Sequence, residues 1–202
     1  MFLRGPIDQH AVHLCIDMQR LLSPEGPWPT PWVAPALEQA VRLIEPRPAQ
    51  TVFTRFVPPR TPDEMPGAWR RYFNKWRSVT REFIDHSLLE VLPPLSSFVP
   101  PATVVDKGRY SAFIDSPLHA LLRDRGATTL VVSGAETDVC VLATVLNAVD
   151  LGYRVIVAAD AICSSVDETH DALMTLYRDR LGEQIELMDT GAILESWPKS
   201  AV

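Results

Sequence analysis

Short runs of apolar, often branched residues alternate with helical stretches along this chain, and this alternation limits the possible folds more than any other feature. Runs with the composition of buried strands occupy residues 11–17, 51–56, 102–107, 128–134, 153–160 and 184–190. Helical patterns occupy residues 34–45, 115–125, 138–151 and 167–181. Continuously apolar strands are typical of a parallel sheet that is covered on both faces. The pattern therefore predicts an α/β fold, namely a three-layer α/β/α sandwich on a six-stranded parallel sheet.

The length of the chain fits one domain of this kind. With 202 residues it is long enough for one generous α/β domain and short for two. We expect a single domain over residues 1–202, with an insertion rich in proline and aromatic residues at about 57–101. A shorter segment of similar composition occupies residues 23–35. Connections as long as the insertion usually serve as lids or binding loops.

Charge and cysteine content exclude several classes of protein. A net charge of −6 disfavours nucleic-acid binding, which requires a basic surface. No run of 18 apolar residues and no apolar signal-peptide core is visible, so we expect no membrane partner and no secretion. Three cysteines are too few for a disulfide framework and indicate a reducing compartment. We therefore expect a cytoplasmic protein.

Three reactive side chains lie near the predicted carboxyl ends of strands, which is where open parallel sheets bind ligands. Asp17 ends the first strand, Lys107 ends the third, and Cys140 lies in the first turn of the helix after the fourth. A helix N-terminus and a nearby lysine favour the thiolate, so we expect a lowered pKa for Cys140. A carboxylate can take and return a proton. Each residue also has an ordinary interpretation, as a buried apolar cysteine, a turn aspartate or a solvated lysine.

Four segments together resemble one known family. They read LCIDMQ (14–19), VVDKGRYSAF (104–113), GAETDVCVLATVLNAVDLGYRV (134–155) and DAICSSVDETHDAL (160–173). In this order they are similar to the isochorismatase-like cysteine hydrolases, which include nicotinamidases, N-carbamoylsarcosine amidases, and ureidoacrylate and biuret hydrolases. The resemblance implies the isochorismatase-like hydrolase fold, which is Rossmann-like, with strand order 3-2-1-4-5-6.

The resemblance also implies roles for particular residues. Asp17, Lys107 and Cys140 would form the catalytic triad. The peptide bond between Ala135 and Glu136 would be cis, and the backbone N–H groups of Glu136 and Cys140 would form an oxyanion hole. In that strand order Lys107 starts some distance from Asp17, so we predict that its side chain spans the gap and brings the ammonium within hydrogen-bond reach of the carboxylate.

The function implied is a cofactor-free cysteine hydrolase that cleaves a C–N bond of a small amide, ureido or carbamoyl compound through a thioester on Cys140. Nicotinamidases of this family carry a metal site with paired histidines, but residues 53–67 contain no histidine, so we expect no metal and disfavour nicotinamidase. Two alternatives stay open: a vinyl ether hydrolase of the isochorismatase type, and a non-catalytic binding protein. The expected partner is a small-molecule substrate, and the expected assembly is a homodimer or homotetramer.

The segment at residues 68–81 combines basic and aromatic side chains and has three interpretations. The first is a cationic lid that binds a substrate carboxylate through Arg70, Arg71 or Arg77. The second is a subunit interface, and the third is a helix that covers the core. We expect the whole insertion at 57–101 and residues 23–35 to enclose a pocket over Cys140, with both segments from one subunit or one of them from a neighbouring subunit. The predicted pocket residues are Trp69, Tyr72, Trp76 and Phe113. Cys15 and Cys163 are interpreted as structural.

Overall fold

The structure is a computed structural model, and it describes residues 3–197. Its sheet is entirely parallel, and neighbouring strands follow the order β3-β2-β1-β4-β5-β6. The strands are β1 (Val12–Ile16), β2 (Thr51–Phe56), β3 (Thr103–Lys107), β4 (Thr129–Ala135), β5 (Arg154–Cys163) and β6 (Ile185–Met188). Both the predicted α/β class and the predicted strand order are confirmed.

Helices cover both faces of the sheet. They are α1 (Val33–Ile44), α2 (Gly67–Lys75), α3 (Pro93–Ser96), α4 (Leu118–Asp124), α5 (Leu142–Asp150), α6 (Asp167–Thr175) and α7 (Thr190–Ser196). Alternate side chains of a strand point to opposite faces. Leu14 of β1 therefore packs in one apolar cluster with residues of α4 and α5, whereas the adjacent Cys15 packs in another with residues of α1. Residues of α7 pack on the same side as α1.

Helix boundaries differ from the sequence prediction, and two of the differences concern the start of a helix. The helix predicted from residue 115 begins at Leu118, because Pro117 is its N-cap and the Leu118 N–H donates to the Ser116 hydroxyl at 3.2 Å. The helix predicted from residue 138 begins as a π-helical turn over Thr137–Val141, which then continues into α5. Cys140 therefore lies in a wider turn than the predicted α-helical one.

β1 and β4 approach each other closely at their carboxyl ends. Gly134 has a φ of +116°, and a Cβ atom at this position would lie 2.1 Å from the Ile16 carbonyl oxygen. Only glycine tolerates both the backbone conformation and the close approach. The residues that follow the two strands, Asp17 and the turn that carries Cys140, are therefore brought together.

The long connection between β2 and β3 contains α2 and α3 and packs against the carboxyl end of the sheet. Phe73 of α2 is fully buried and stacks on Phe56 at the end of β2, with Met65 in the same apolar cluster. Core cover is therefore part of the role of this segment. Within residues 3–197, no helix has the length and apolar character needed to cross a lipid bilayer.

Candidate active site

Asp17 follows β1 directly and is held rigidly by Thr54 of β2. The Thr54 hydroxyl donates to Asp17 Oδ1 at 2.6 Å, and the Asp17 N–H donates to the Thr54 carbonyl at 3.2 Å. Asp17 has a φ of +47°, which is uncommon for a residue with a side chain and is typical of functional positions. The carboxylate is thus oriented by the scaffold before any ligand binds.

Lys107 ends β3 and reaches across β2 to Asp17, as predicted. Its Nζ atom lies 2.7 Å from Asp17 Oδ2, 2.8 Å from the Arg109 carbonyl oxygen and 3.4 Å from Cys140 Sγ. On its way the side chain crosses Phe56, with Nζ 5.2 Å from the ring centroid. Burial disfavours the charge, but Asp17 and Cys140 outweigh burial and raise the pKa of the Lys107 ammonium. All three N–H donors are therefore directed at fixed partners.

Cys140 completes this cluster, but the expectation of a lowered pKa is wrong. Burial raises the pKa of the Cys140 thiol well above its ordinary range. The Asp17 carboxylate adds to the increase because a neighbouring negative charge disfavours the thiolate, and the Lys107 ammonium opposes it. Burial and Asp17 therefore favour the neutral thiol at Cys140, beside the Asp17–Lys107 ion pair.

The turn between β4 and Cys140 contains a cis peptide bond between Ala135 and Glu136. The Glu136 carbonyl accepts hydrogen bonds from the N–H groups of Val139 and Val141, each at 3.1 Å. Its side-chain Oε1 accepts from the Ser165 N–H at 2.9 Å. The place of the Glu136 N–H in an oxyanion hole stays a prediction.

A cavity of about 310 Å³ lies beside Asp17 and Cys140. The remaining lining residues are mostly apolar or aromatic: Gln19, Leu21, Leu22, Trp28, Phe56, Tyr72, Trp76, Tyr110, Ala135, Glu136 and Val139. Trp28 belongs to residues 23–35, and Tyr72 and Trp76 belong to the long insertion. Both segments therefore contribute side chains to the walls of this cavity.

Two of the four predicted pocket residues do not line this cavity. Phe113 packs away from it, with its ring stacked 5.9 Å from Tyr153 and beside His119. Trp69 stands behind the wall, where its ring contacts those of Tyr72 and Tyr110 at 5.6 and 4.6 Å. The assignment of both residues to the pocket is wrong, because their rings fill the apolar layers that support the cavity.

The predicted carboxylate-binding arginines also lie elsewhere. Arg70 donates to the backbone carbonyls of Met65 and Asp63, and the Arg77 guanidinium lies over the Phe83 ring. Neither these residues nor Arg71 line the cavity. The interpretation of residues 68–81 as a cationic lid over the substrate is therefore wrong; the aromatic side of the segment faces the site.

Sequence reasoning missed two residues that position the site. One is Thr54, which looks like any other residue of a buried strand. The other is Gln19, whose side chain donates to the carbonyls of Phe56 and Leu89 and accepts from the Phe56 N–H at 2.7 Å. Gln19 thereby ties the segment after β1 to the end of β2. The sequence feature that could have identified Gln19 is its position two residues after Asp17.

The other two cysteines are buried, in agreement with a structural interpretation. Cys15 and Cys163 are 0% and 2% exposed, and burial raises the pKa of each thiol to about 12. Within the part of the chain that the structure describes, no group of three or more His, Cys, Asp or Glu side chains is arranged to hold a metal ion.

Comparison with known proteins adds a match over most of the chain. The family model described as "Isochorismatase domain" matches residues 11–189. A ureidoacrylate amidohydrolase from Methylobacterium radiotolerans is 43% identical over 77 residues, which are 38% of this chain and 28% of that protein. A maleamate amidohydrolase from Pseudomonas putida is 28% identical over 182 residues, covering 87% of this chain and 83% of that protein. The chain spans less than half of the length of the first curated relatives that it matches.

A solved structure shares the complete fold. The crystal structure of a cysteine hydrolase from Pseudomonas syringae pv. phaseolicola superposes with a TM-score of 0.80 at 22% identity, covering 98% of this chain and 99% of that one. At this level of identity the likeness concerns the fold. It places the sheet order and the helical layers described above within a known architecture.

Proposed function

The chain belongs to the isochorismatase family, and on that premise we propose that it is a cysteine amidohydrolase that cleaves the C–N bond of a small amide, ureido or carbamoyl compound. The observation that carries this proposal is the position of the Lys107 ammonium, which contacts Asp17 at 2.7 Å and Cys140 at 3.4 Å beside a cavity. A base, a cation and a thiol around one reaction centre are what acyl transfer to sulfur requires.

In the first half of the proposed reaction, Asp17 accepts the proton of the Cys140 thiol while sulfur attacks the substrate carbonyl carbon. The raised pKa of Cys140 means that the thiolate does not accumulate beforehand, so proton transfer accompanies the attack. Lys107 stabilises the negative charge as it moves from Asp17 to sulfur. The N–H groups of Glu136 and Cys140 would receive the charge on oxygen, and one such donor typically contributes about 3 kcal/mol.

In the second half, Asp17 returns the proton to the nitrogen, the C–N bond breaks, and the acyl group stays on Cys140 as a thioester. Asp17 then takes a proton from water, whose oxygen attacks the thioester carbon. The C–S bond breaks, the proton returns to sulfur and the acid leaves. The carboxylate, already fixed by Thr54, thus serves as the base and the acid of both steps.

The proposal is tested by measuring ammonia release from a panel of small amides, ureides and carbamoyl compounds. The panel includes the compounds for which the two relatives above are named. We expect turnover of at least one compound, and its loss in Cys140→Ala with the circular dichroism spectrum unchanged. Turnover of a vinyl ether that persists in Cys140→Ala would instead support the isochorismatase-type reaction. Absence of any turnover in wild-type protein would support the non-catalytic binding protein.

A further inference from the structure

The residues that line the cavity indicate which kind of acyl group the substrate carries. Among the described residues that line it, Asp17 and Glu136 are the charged ones, and both are acidic. The Lys107 ammonium lies beside the cavity, but its donors are already directed at Asp17, the Arg109 carbonyl and Cys140. A substrate carboxylate in this space would meet these two negative charges, and none of the described residues that line the cavity carries a positive charge to pair with it.

Arg109, whose guanidinium lies over the Trp69 ring behind the cavity wall, cannot supply the missing charge without breaking its present contacts. Arg109 donates to the Gly108 carbonyl at 3.1 Å and pairs with Asp115 at 3.3 Å, and its guanidinium lies over the Trp69 ring. These contacts hold it on the outer side of the aromatic wall. An ionised group without a partner is strongly disfavoured in a largely apolar cavity.

The remaining walls favour an apolar ligand. Trp28 packs edge-on against Trp76 at 5.9 Å and lies 6.2 Å from Phe56, and Leu21 and Leu22 extend the same surface. Aromatic walls of this kind bind apolar or aromatic groups through buried area and ring contacts.

Apart from Asp17, Glu136 and the Cys140 thiol, the polar side chains that line the cavity are neutral hydrogen-bonding groups. Burial raises the pKa of Tyr72 and of Tyr110, so both hydroxyls stay protonated. Gln19, in turn, is committed to the backbone around Phe56 and Leu89. Two phenols can therefore donate to an uncharged oxygen or nitrogen of a ligand, but they do not neutralise a carboxylate.

We infer that the substrate is a neutral amide with an apolar or aromatic acyl group, and that amides carrying a carboxylate are excluded. This inference rests on the proposed function and narrows its substrate class. It follows from the acidic and aromatic character of the walls and from the full occupation of Lys107. The acyl group would lie against Trp28 and Trp76, with its carbonyl carbon next to Cys140.

The test compares two amides of equal carbon number, hexanamide and adipamate, which differ in a terminal methyl group and a terminal carboxylate. We expect kcat/KM for ammonia release to be at least about a hundredfold higher for hexanamide. Equal values, or a preference for adipamate, would overturn the inference and leave the amidohydrolase proposal intact.

A second readout does not depend on turnover. Hexanamide should slow alkylation of Cys140 by iodoacetamide in a concentration-dependent manner, and adipamate at the same concentrations should not. This pattern without ammonia release would support the inferred ligand class while contradicting the amidohydrolase proposal. Protection by adipamate alone, or by neither compound, would contradict the inference.

A charge introduced into the wall provides a matched control. Trp76 lines the cavity and is half-buried, so Trp76→Arg places a cation there, and Trp76→Met removes the ring without adding charge. We expect Trp76→Arg to raise the adipamate-to-hexanamide ratio of kcat/KM at least tenfold over that of Trp76→Met. Equal ratios in the two folded variants would show that charge in the wall does not select the substrate.

Discussion

The Lys107 ammonium lies 2.7 Å from Asp17 Oδ2, although Lys107 ends β3, Asp17 follows β1, and β2 lies between these two strands. Both side chains are almost fully buried. The pair is formed because Lys107 ends the edge strand of the sheet and extends over Phe56 toward the centre. Its energetic consequences are measurable independently of any substrate.

Lys107→Met should lower both stability and activity. Removing one partner of a buried ion pair leaves the Asp17 carboxylate uncompensated, which typically costs about 3–5 kcal/mol. We expect a loss of this order in the free energy of unfolding, measured with urea. The double variant Asp17→Asn/Lys107→Met should recover most of the stability but no activity. A single variant as stable as wild type would show that the pair is energetically unimportant.

Thr54→Val should reduce turnover with little change in KM. The substitution keeps the volume but removes the hydroxyl that donates to Asp17 Oδ1 at 2.6 Å. A hydrogen bond to a charged group is worth about 1.5–3 kcal/mol, so we expect kcat to fall roughly 10- to 100-fold. Thr54→Ser keeps the donor and should retain most of kcat. If both variants lose kcat equally, packing at Thr54 matters and the hydroxyl does not.

Alkylation should distinguish Cys140 from the other thiols. Cys140 is partly exposed beside the cavity, whereas Cys15 and Cys163 are buried, so iodoacetamide should label Cys140 first in the folded protein. Because the pKa of Cys140 is raised, its alkylation rate should still increase at roughly pH 10, well above the ordinary cysteine pKa of about 8.5. Peptide mass spectrometry measures both the order in which the three thiols are labelled and the pH dependence of labelling at Cys140. A plateau near neutral pH would indicate a preformed thiolate.

His13 should make the protein less stable in acid. It is buried in β1, with Nε2 2.8 Å from the Ser133 hydroxyl, and burial together with Arg47 lowers its pKa to about 3. In the unfolded chain its pKa is about 6.5, so the unfolded state binds the proton first. Stability is therefore full above about pH 6.5 and falls by up to about 1.4 kcal/mol per pH unit toward pH 3. His13→Gln should flatten the slope measured by urea unfolding, and an unchanged slope would assign it to other groups.

The sequence predicts much of this fold because its strands are continuously apolar and are separated by clear helical patterns. It also places Asp17, Lys107 and Cys140 at strand ends, and the parallel topology brings such ends to one edge. The errors concern properties that depend on three-dimensional packing. The pKa of Cys140 is raised because burial and Asp17 outweigh Lys107, and no local sequence pattern reports burial. Phe113 and Trp69 are aromatic like the true pocket residues, but neighbouring rings orient them into the supporting layers.

In the proposed reaction, Cys140 carries the acyl group during turnover. Rapid quenching in acid, followed by peptide mass spectrometry, tests it with any amide found to be a substrate. We expect a transient mass increase on the Cys140 peptide equal to the acyl group of that substrate, formed and lost at rates compatible with kcat and absent from Cys140→Ala. Turnover of the amide with no adduct on Cys140 at any quench time, and with substantial activity in Cys140→Ala, would contradict it.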